Sequence, residues 1–249
     1  MPAASLRALL ANLIDYAGLY PPSSLPLDAA AAKYNAYLDG PESWMLNRMV
    51  LPSGKPFDPH WRVALVVEAR PEPLPPMVET LESKQALKLS LPTYCEVPLD
   101  RVPPGAFAKV RTGGLAPDAI PAPEQLADFL LEAAARRTPF KATAGLHHPI
   151  RSLHPLTYAP DAPQAVMHGF VNVFTAAAFA WHAGTREIVL DIVNDVDPNA
   201  FSFREAGLVW RGRALSTSRI AEARRDFAHS FGSCSFEEPI ADLRELGWL

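Results

Sequence analysis

Phe107-Ala-Lys109-Val-Arg111-Thr-Gly-Gly114 and Phe140-Lys141-Ala-Thr143-Ala-Gly145-Leu-His147-His148-Pro149 decide the fold. Each begins apolar, carries a lysine inside a strand-like run and reaches a glycine. Between them Leu126, Phe129, Leu130, Ala133 and Ala134 recur at helical spacing, so residues 124–137 read as an amphipathic helix. It starts acidic at Glu124 and ends basic at Arg136 and Arg137, which suits the helix dipole. A lysine inside a strand loses hydration unless it is paired or employed. Two of them on consecutive strands point to a functional cleft. The pattern predicts a (β/α)8 barrel whose pocket these residues line.

Outward toward the amino terminus, residues 93–98, 61–68, 44–52 and 13–18 read as strands, and residues 77–87 and 28–38 as helices. Residues 61–68 run through Val, Ala and Leu without polar alternation, as in a strand buried on both faces of a parallel sheet. Toward the carboxyl terminus, residues 151–164 hold Pro155, Pro160 and Pro163 and no periodicity. They predict a stiff, ordered cover over the barrel mouth. Residues 167–173 read as a seventh strand running into a helix that ends at Trp181. Residues 187–194 and 216–228 read as helices, and residues 200–212 as a β-hairpin inserted before the last helix and strand. Residues 230–236 make the eighth strand and residues 239–246 the closing helix. The connections after the second, fourth and sixth strands have weak helical patterns, so a doubly wound open sheet is the alternative. With no internal linker or repeat, residues 1–249 read as one domain.

A length of 249 residues suits one α/β barrel, and a 49 % hydrophobic content suits a sizeable core. A net charge of −4 without a basic block leaves no electrostatic footprint for nucleic acid. The longest mostly apolar run, residues 170–181, falls short of the ~20 residues that span a bilayer. The first helical stretch, residues 6–14, lacks the basic leader of a signal peptide. Cys95 and Cys234 form no Cys-x-x-Cys and read as reduced thiols in a cytoplasmic protein, with a single disulfide as the alternative. Gly-x-Gly-x-x-Gly and Walker patterns are missing, which argues against dinucleotide and nucleoside triphosphate enzymes. The expected partner is a small-molecule substrate, with no nucleic acid and no membrane. Trp210 and its hairpin read as packing or as a contact between copies in a homo-oligomer.

Barrel enzymes place their chemistry at the carboxyl ends of the strands. Here those ends carry Asp15, Asn47 with Arg48, Glu68, Glu96, Lys109 with Arg111, Lys141 with Thr143 and His147, Asn172, and Ser233 with Ser235. Period two puts Lys109 and Arg111 on one strand face, and Lys141 and Thr143 on another. Each cation in a shared pocket lowers the next lysine's pKa, and a neutral lysine attacks carbonyls. Arg111 has the planar fork that grips a carboxylate. The catalytic set expected is Lys141, Lys109, His147 and Glu96, with Arg111, Arg48, Asn172, His148, Thr143 and Asp15 contacting the substrate.

Lys109-Val-Arg111-Thr-Gly-Gly114 and Lys141-Ala-Thr143-Ala-Gly145 resemble the two lysine strands of class I aldolases of the deoxyribose-phosphate aldolase type. The resemblance is confined to these segments. It implies a barrel lyase with a Schiff-base lysine on one strand and a second lysine on the next. Arg111 stands where that family has a small residue, and His147-His148 follows the second segment, so the choice of nucleophile stays open.

Other readings compete. A Lys-x-Arg pair on a strand is often a structural ion pair, and the same cations can bind an anion without chemistry. His147 and His148 with Glu96 and Asp15 offer a divalent-metal hydrolase or isomerase, although His-x-His and His-Glu-x-x-His are missing. No other cofactor is expected. Residues 231–235 can present N–H groups to a phosphate, but Glu237 and Glu238 would repel it, and Ser235 with Glu238 fits a capping box. A carboxylate or carbonyl substrate is therefore expected over a phosphorylated one.

Overall fold

The computed structural model describes residues 1–69, 73–85, 87 and 90–249. In chain order it contains α1 (Ala4–Leu10), β1 (Ile14–Tyr16), α2 (Leu27–Leu38), β2 (Leu46–Pro52), β3 (Val63–Val66), β4 (Val78–Ser83), β5 (Thr93–Glu96) and β6 (Phe107–Arg111). There follow α3 (Pro123–Ala135), β7 (Phe140–Thr143), β8 (Ser152–Pro155), β9 (Gln164–Met167), α4 (Phe170–Trp181) and α5 (Arg186–Asn194). The last elements are β10 (Phe201–Phe203), β11 (Gly207–Trp210), β12 (Arg213–Ser216), α6 (Thr217–Asp226), β13 (Ala228–Ser233) and α7 (Glu237–Glu245). Eight parallel strands close a barrel in the order β1-β2-β3-β4-β5-β6-β7-β13.

Strand alternation divides this barrel into an apolar shell and a polar lumen. On β7, Phe140 packs against Phe129 of α3 and Phe174 of α4, which leaves Lys141 for the inside. Phe231 of β13 stacks on Phe170 of α4, so Ser230 and Gly232 turn inward. Tyr16 of β1 stacks on Tyr34 of α2, and Asp15 between Ile14 and Tyr16 turns inward. Burial of each such aromatic contributes roughly 1.5–3 kcal/mol. That is enough to fix the register that commits the charged neighbours to the lumen.

The helices are distributed unevenly. Among the described residues α-helices follow β1, β6, β7 and β13, while β2 to β5 are joined without one. α4 is buried from Phe170 to Ala180 because it lies under α3, α5 and α6. A helix enclosed on every side has no polar face, and its apolar run then carries no period.

Four expectations need correction. Residues 77–87 were expected to be helical, but they hold β4; Ala86 lies outside the described residues. The expected seventh strand, residues 167–173, is the end of β9 and the start of α4. The cover, residues 151–164, is not a plain loop: β8 and β9 pair antiparallel within it. The inserted hairpin is β10 with β11, and β12 adds a third strand. Trp210 packs inside this chain, 2 % exposed, and donates Nε1–H to Asp195 at 2.7 Å. The expected capping hydroxyl is in place, since Ser235 Oγ accepts the Glu238 N–H at 3.2 Å.

Candidate active site at the carboxyl end of the barrel

Asp15, Lys141, Glu82, Lys109, Glu96 and Arg111 form one continuous ladder of alternating charge. Lys141 Nζ lies 2.6 Å from Asp15 Oδ2 and also donates to Glu82 Oε1. The second Glu82 oxygen is 2.9 Å from Lys109 Nζ, which is 3.1 Å from Glu96 Oε2. Glu96 Oε1 accepts Arg111 Nε–H at 2.9 Å. Lys109 and Lys141 are register partners on neighbouring strands, a repulsive arrangement when nothing intervenes. Glu82 bridges them, one oxygen to each.

The ladder runs from inside to outside. Side-chain exposure is 1 % at Asp15 and Lys141, 11 % at Lys109 and 60 % at Arg111. At the buried end every oxygen of Asp15 is employed. Asn47 Nδ2 (2.7 Å) and the Arg48 N–H (3.2 Å) donate to Oδ1, and Ser230 Oγ (2.7 Å) donates to Oδ2 beside Lys141. Burial by itself would raise the Asp15 and Glu82 carboxyls, but Lys141 and its hydrogen bonds outweigh burial and hold both below the usual carboxylate range. Burial would likewise discharge Lys141, yet Asp15 and Glu82 hold its pKa above the ordinary lysine value. The expectation that neighbouring cations leave Lys141 neutral is therefore corrected. It left out Glu82.

The outer half of the ladder opens into a cavity of about 440 Å3 at the carboxyl ends of the strands. Gly232 of β13, opposite Thr143, leaves room for it: a Cβ there would lie 3.5 Å from Thr143 Oγ1. Pro21, Val50, Val66 and Leu115 give it apolar walls, and Leu156 and Met167 bring the β8–β9 segment over it. Tyr20 also lines it, with a buried hydroxyl that has no hydrogen-bond partner among the described residues. At the rim His147 Nδ1 lies 3.0 Å from Glu238 Oε2, which also accepts the Tyr158 hydroxyl at 3.0 Å. Tyr158 belongs to the same covering segment, so Glu238 ties cover and histidine to α7.

The cavity lining unites Lys109, Lys141, Glu96, Arg111, Thr143 and His147, and Asp15 stands one ion pair below it. The other expected residues are elsewhere. Arg48 sits at the opposite end of the barrel, its Nε 2.8 Å from Glu79. His148 turns to Asp242, 2.6 Å away, and stacks on His154. Asn172 is not at a strand end but buried in α4, where its Nδ2 caps the Ile192 and Asp195 carbonyls at 2.7 and 2.8 Å. Glu68 is exposed beyond β3. The Ser233 hydroxyl turns to the Ser235 backbone next to α7, donating to its carbonyl at 2.6 Å and accepting its N–H at 3.4 Å.

Glu82, Ser230, Tyr20 and Glu238 were missed. The signal for Glu82 was the alternation Val78-Glu-Thr-Leu-Glu-Ser83, in which Thr80 and Glu82 share one strand face. Among the described residues no three His, Cys, Asp or Glu side chains gather as a metal site. Cys95 and Cys234 are free, buried thiols. No helix among the described residues is long and apolar enough to cross a membrane. No family model, curated protein or solved structure matches the chain.

Proposed function

We propose that this barrel is an enzyme acting on a small carbonyl compound with an anionic group, by lyase chemistry of the aldolase type through Lys109. The observation that carries the reading is the place of Lys109 in the ladder: its amine faces the cavity between two carboxylates, Glu82 and Glu96. Either carboxylate can take the ammonium proton as a carbonyl carbon approaches. The amine then adds to that carbon, and loss of water leaves the Schiff base. Lys141, held charged, keeps Glu82 in place. Among the described residues Arg111 spends only Nε on Glu96, so its terminal nitrogens can grip a carboxylate at the mouth. His147, oriented by Glu238 beyond the neighbouring strand β7, is the proton carrier.

A second reading has its own observation. The raised Lys141 pKa favours fixed ammonium groups, which polarise a carbonyl while Glu96 removes a neighbouring proton, with no covalent adduct. Borohydride reduction with glyoxylate, pyruvate and short aldehydes, followed by intact mass, separates the two. The first reading expects an adduct in the parent protein and none in Lys109→Met. No adduct with any carbonyl compound removes it.

A further inference from the structure

The barrel has a second cavity, of about 500 Å3, at the amino ends of its strands. Arg48, Arg62, Arg224 and Arg225 all line it. Their partners do not balance them. Arg48 and Arg62 share one carboxylate, Glu79, at 2.8 and 2.9 Å. Arg225 is answered by the exposed Asp226 at 2.7 Å. Arg224 has no carboxylate among the described residues; its guanidinium donates to the backbone carbonyls of Leu9, Ala11, Asn12, Ala228 and His229. Asp15, the next carboxylate inward, is matched by Lys141. Four guanidiniums therefore stand against two carboxylates around one cavity. An excess of one sign around an open cleft focuses a field that draws an opposite charge into it.

Two donors in the wall are uncommitted. The terminal nitrogens of Arg48 make no hydrogen bond among the described residues, since only its Nε is held by Glu79. Thr80, 3 % exposed and part of the lining, has no side-chain hydrogen bond among them either. His229 registers the local field: burial first, then Arg224 and Arg48, push it down to about 4. Tyr94 and Phe107 form an apolar wall beside these groups.

We propose that this cavity binds a phosphate group, free or as a monoester, between the Arg48 terminal nitrogens and the Thr80 hydroxyl, in the field of Arg62 and Arg224. The site is separate from the carboxyl-end cavity and stands whether or not the Lys109 chemistry holds. For a monoester, the Tyr94 and Phe107 wall would take the organic part.

Calorimetric titration of the full chain at low salt with inorganic phosphate, and separately with phenyl phosphate, tests it. Saturable binding is expected, tighter for phenyl phosphate if the ligand is a monoester. Thr80→Val and Arg48→Met should each weaken it roughly tenfold or more, the value of one hydrogen bond to a charged group. Lys109→Met, at the other end of the barrel, should leave it unchanged. Thr80→Val keeps the side-chain volume, so it decides the matter if Arg48→Met fails to fold. General stabilisation by phosphate acts by exclusion from the surface and would be the same in every variant. No saturable binding of either compound, equal binding in parent and Thr80→Val, or binding lost in Lys109→Met would overturn the proposal.

Discussion

Lys141 and Lys109 differ chiefly in what remains when each is removed. Lys141→Met leaves Asp15 and Glu82 buried without their central cation, a loss of about 3–5 kcal/mol for a broken buried pair. Lys109→Met leaves Glu82 with Lys141 and Glu96 with Arg111, so its cost should be well under half of that. Denaturant unfolding of both variants checks the order; equal losses would mean that the ladder is not graded from inside to outside. Tyr20 gives the opposite kind of expectation. Its hydroxyl is buried without a partner among the described residues, which costs about 1–3 kcal/mol, so Tyr20→Phe should hold or raise the melting temperature. The neighbouring Glu82 and Lys141 influence the same hydroxyl, so the variant should still lower the rate of adduct formation with the carbonyl panel. A melting temperature that drops would show that the hydroxyl has a partner in solution.

Arg224 of α6 is a tie between elements. It draws the carbonyls that end α1 and those that begin β13 onto one guanidinium, at 2.8 Å for Leu9 and 2.6 Å for His229. Arg224→Met orphans several buried carbonyls at once and should cost ~3 kcal/mol or more, roughly 6–12 °C in melting temperature at this chain length. A fall of under two degrees or so would place α1 outside the cooperative unit. Legibility also belongs to this scale. α3 could be read from sequence by its helical period, β3 by an unbroken apolar run, and β6 and β7 by an apolar start that reaches a glycine. β4 could not. Its Val-Glu-Thr-Leu-Glu-Ser is polar because the lumen is polar, and a Glu-rich stretch reads as helix. α4 was misread at its start for the reverse reason: burial on all sides erased its polar face. The lysines of the site were legible as misfits inside strands, whereas Glu82, the group that bridges them, was hidden inside the misassigned element.

For the whole molecule, acid should act in two stages. His154, His168 and His229 are held down to about 4 against an ordinary 6.5, by burial first in each case. Their lowered values mean that the unfolded chain takes up protons before the folded one does. Stability is therefore lost as pH falls from about 6.5 to about 4. Asp15, Glu82 and Glu96 also have lowered values, so their contribution is complete above the ordinary carboxylate range and disappears only as pH falls through them. Melting temperatures across this range should show the first decline, and His168→Gln, at a wholly buried ring, should reduce it. A flat profile between pH 6 and 4.5, roughly the middle of that window, would contradict neutral burial of the three rings. The place of β13 has a consequence of another kind. It fills the gap between β1 and β7, yet residues 144–227 separate it from β7. A chain leaving the ribosome carries seven barrel strands for a long interval with its seam open and two sheet edges unpaired. Asp15 waits in water through that interval for Ser230, a partner that lies on the last barrel strand. A chain ended anywhere within residues 144–227 should yield not a weaker barrel but a slit one, whose bare edges seek each other and precipitate.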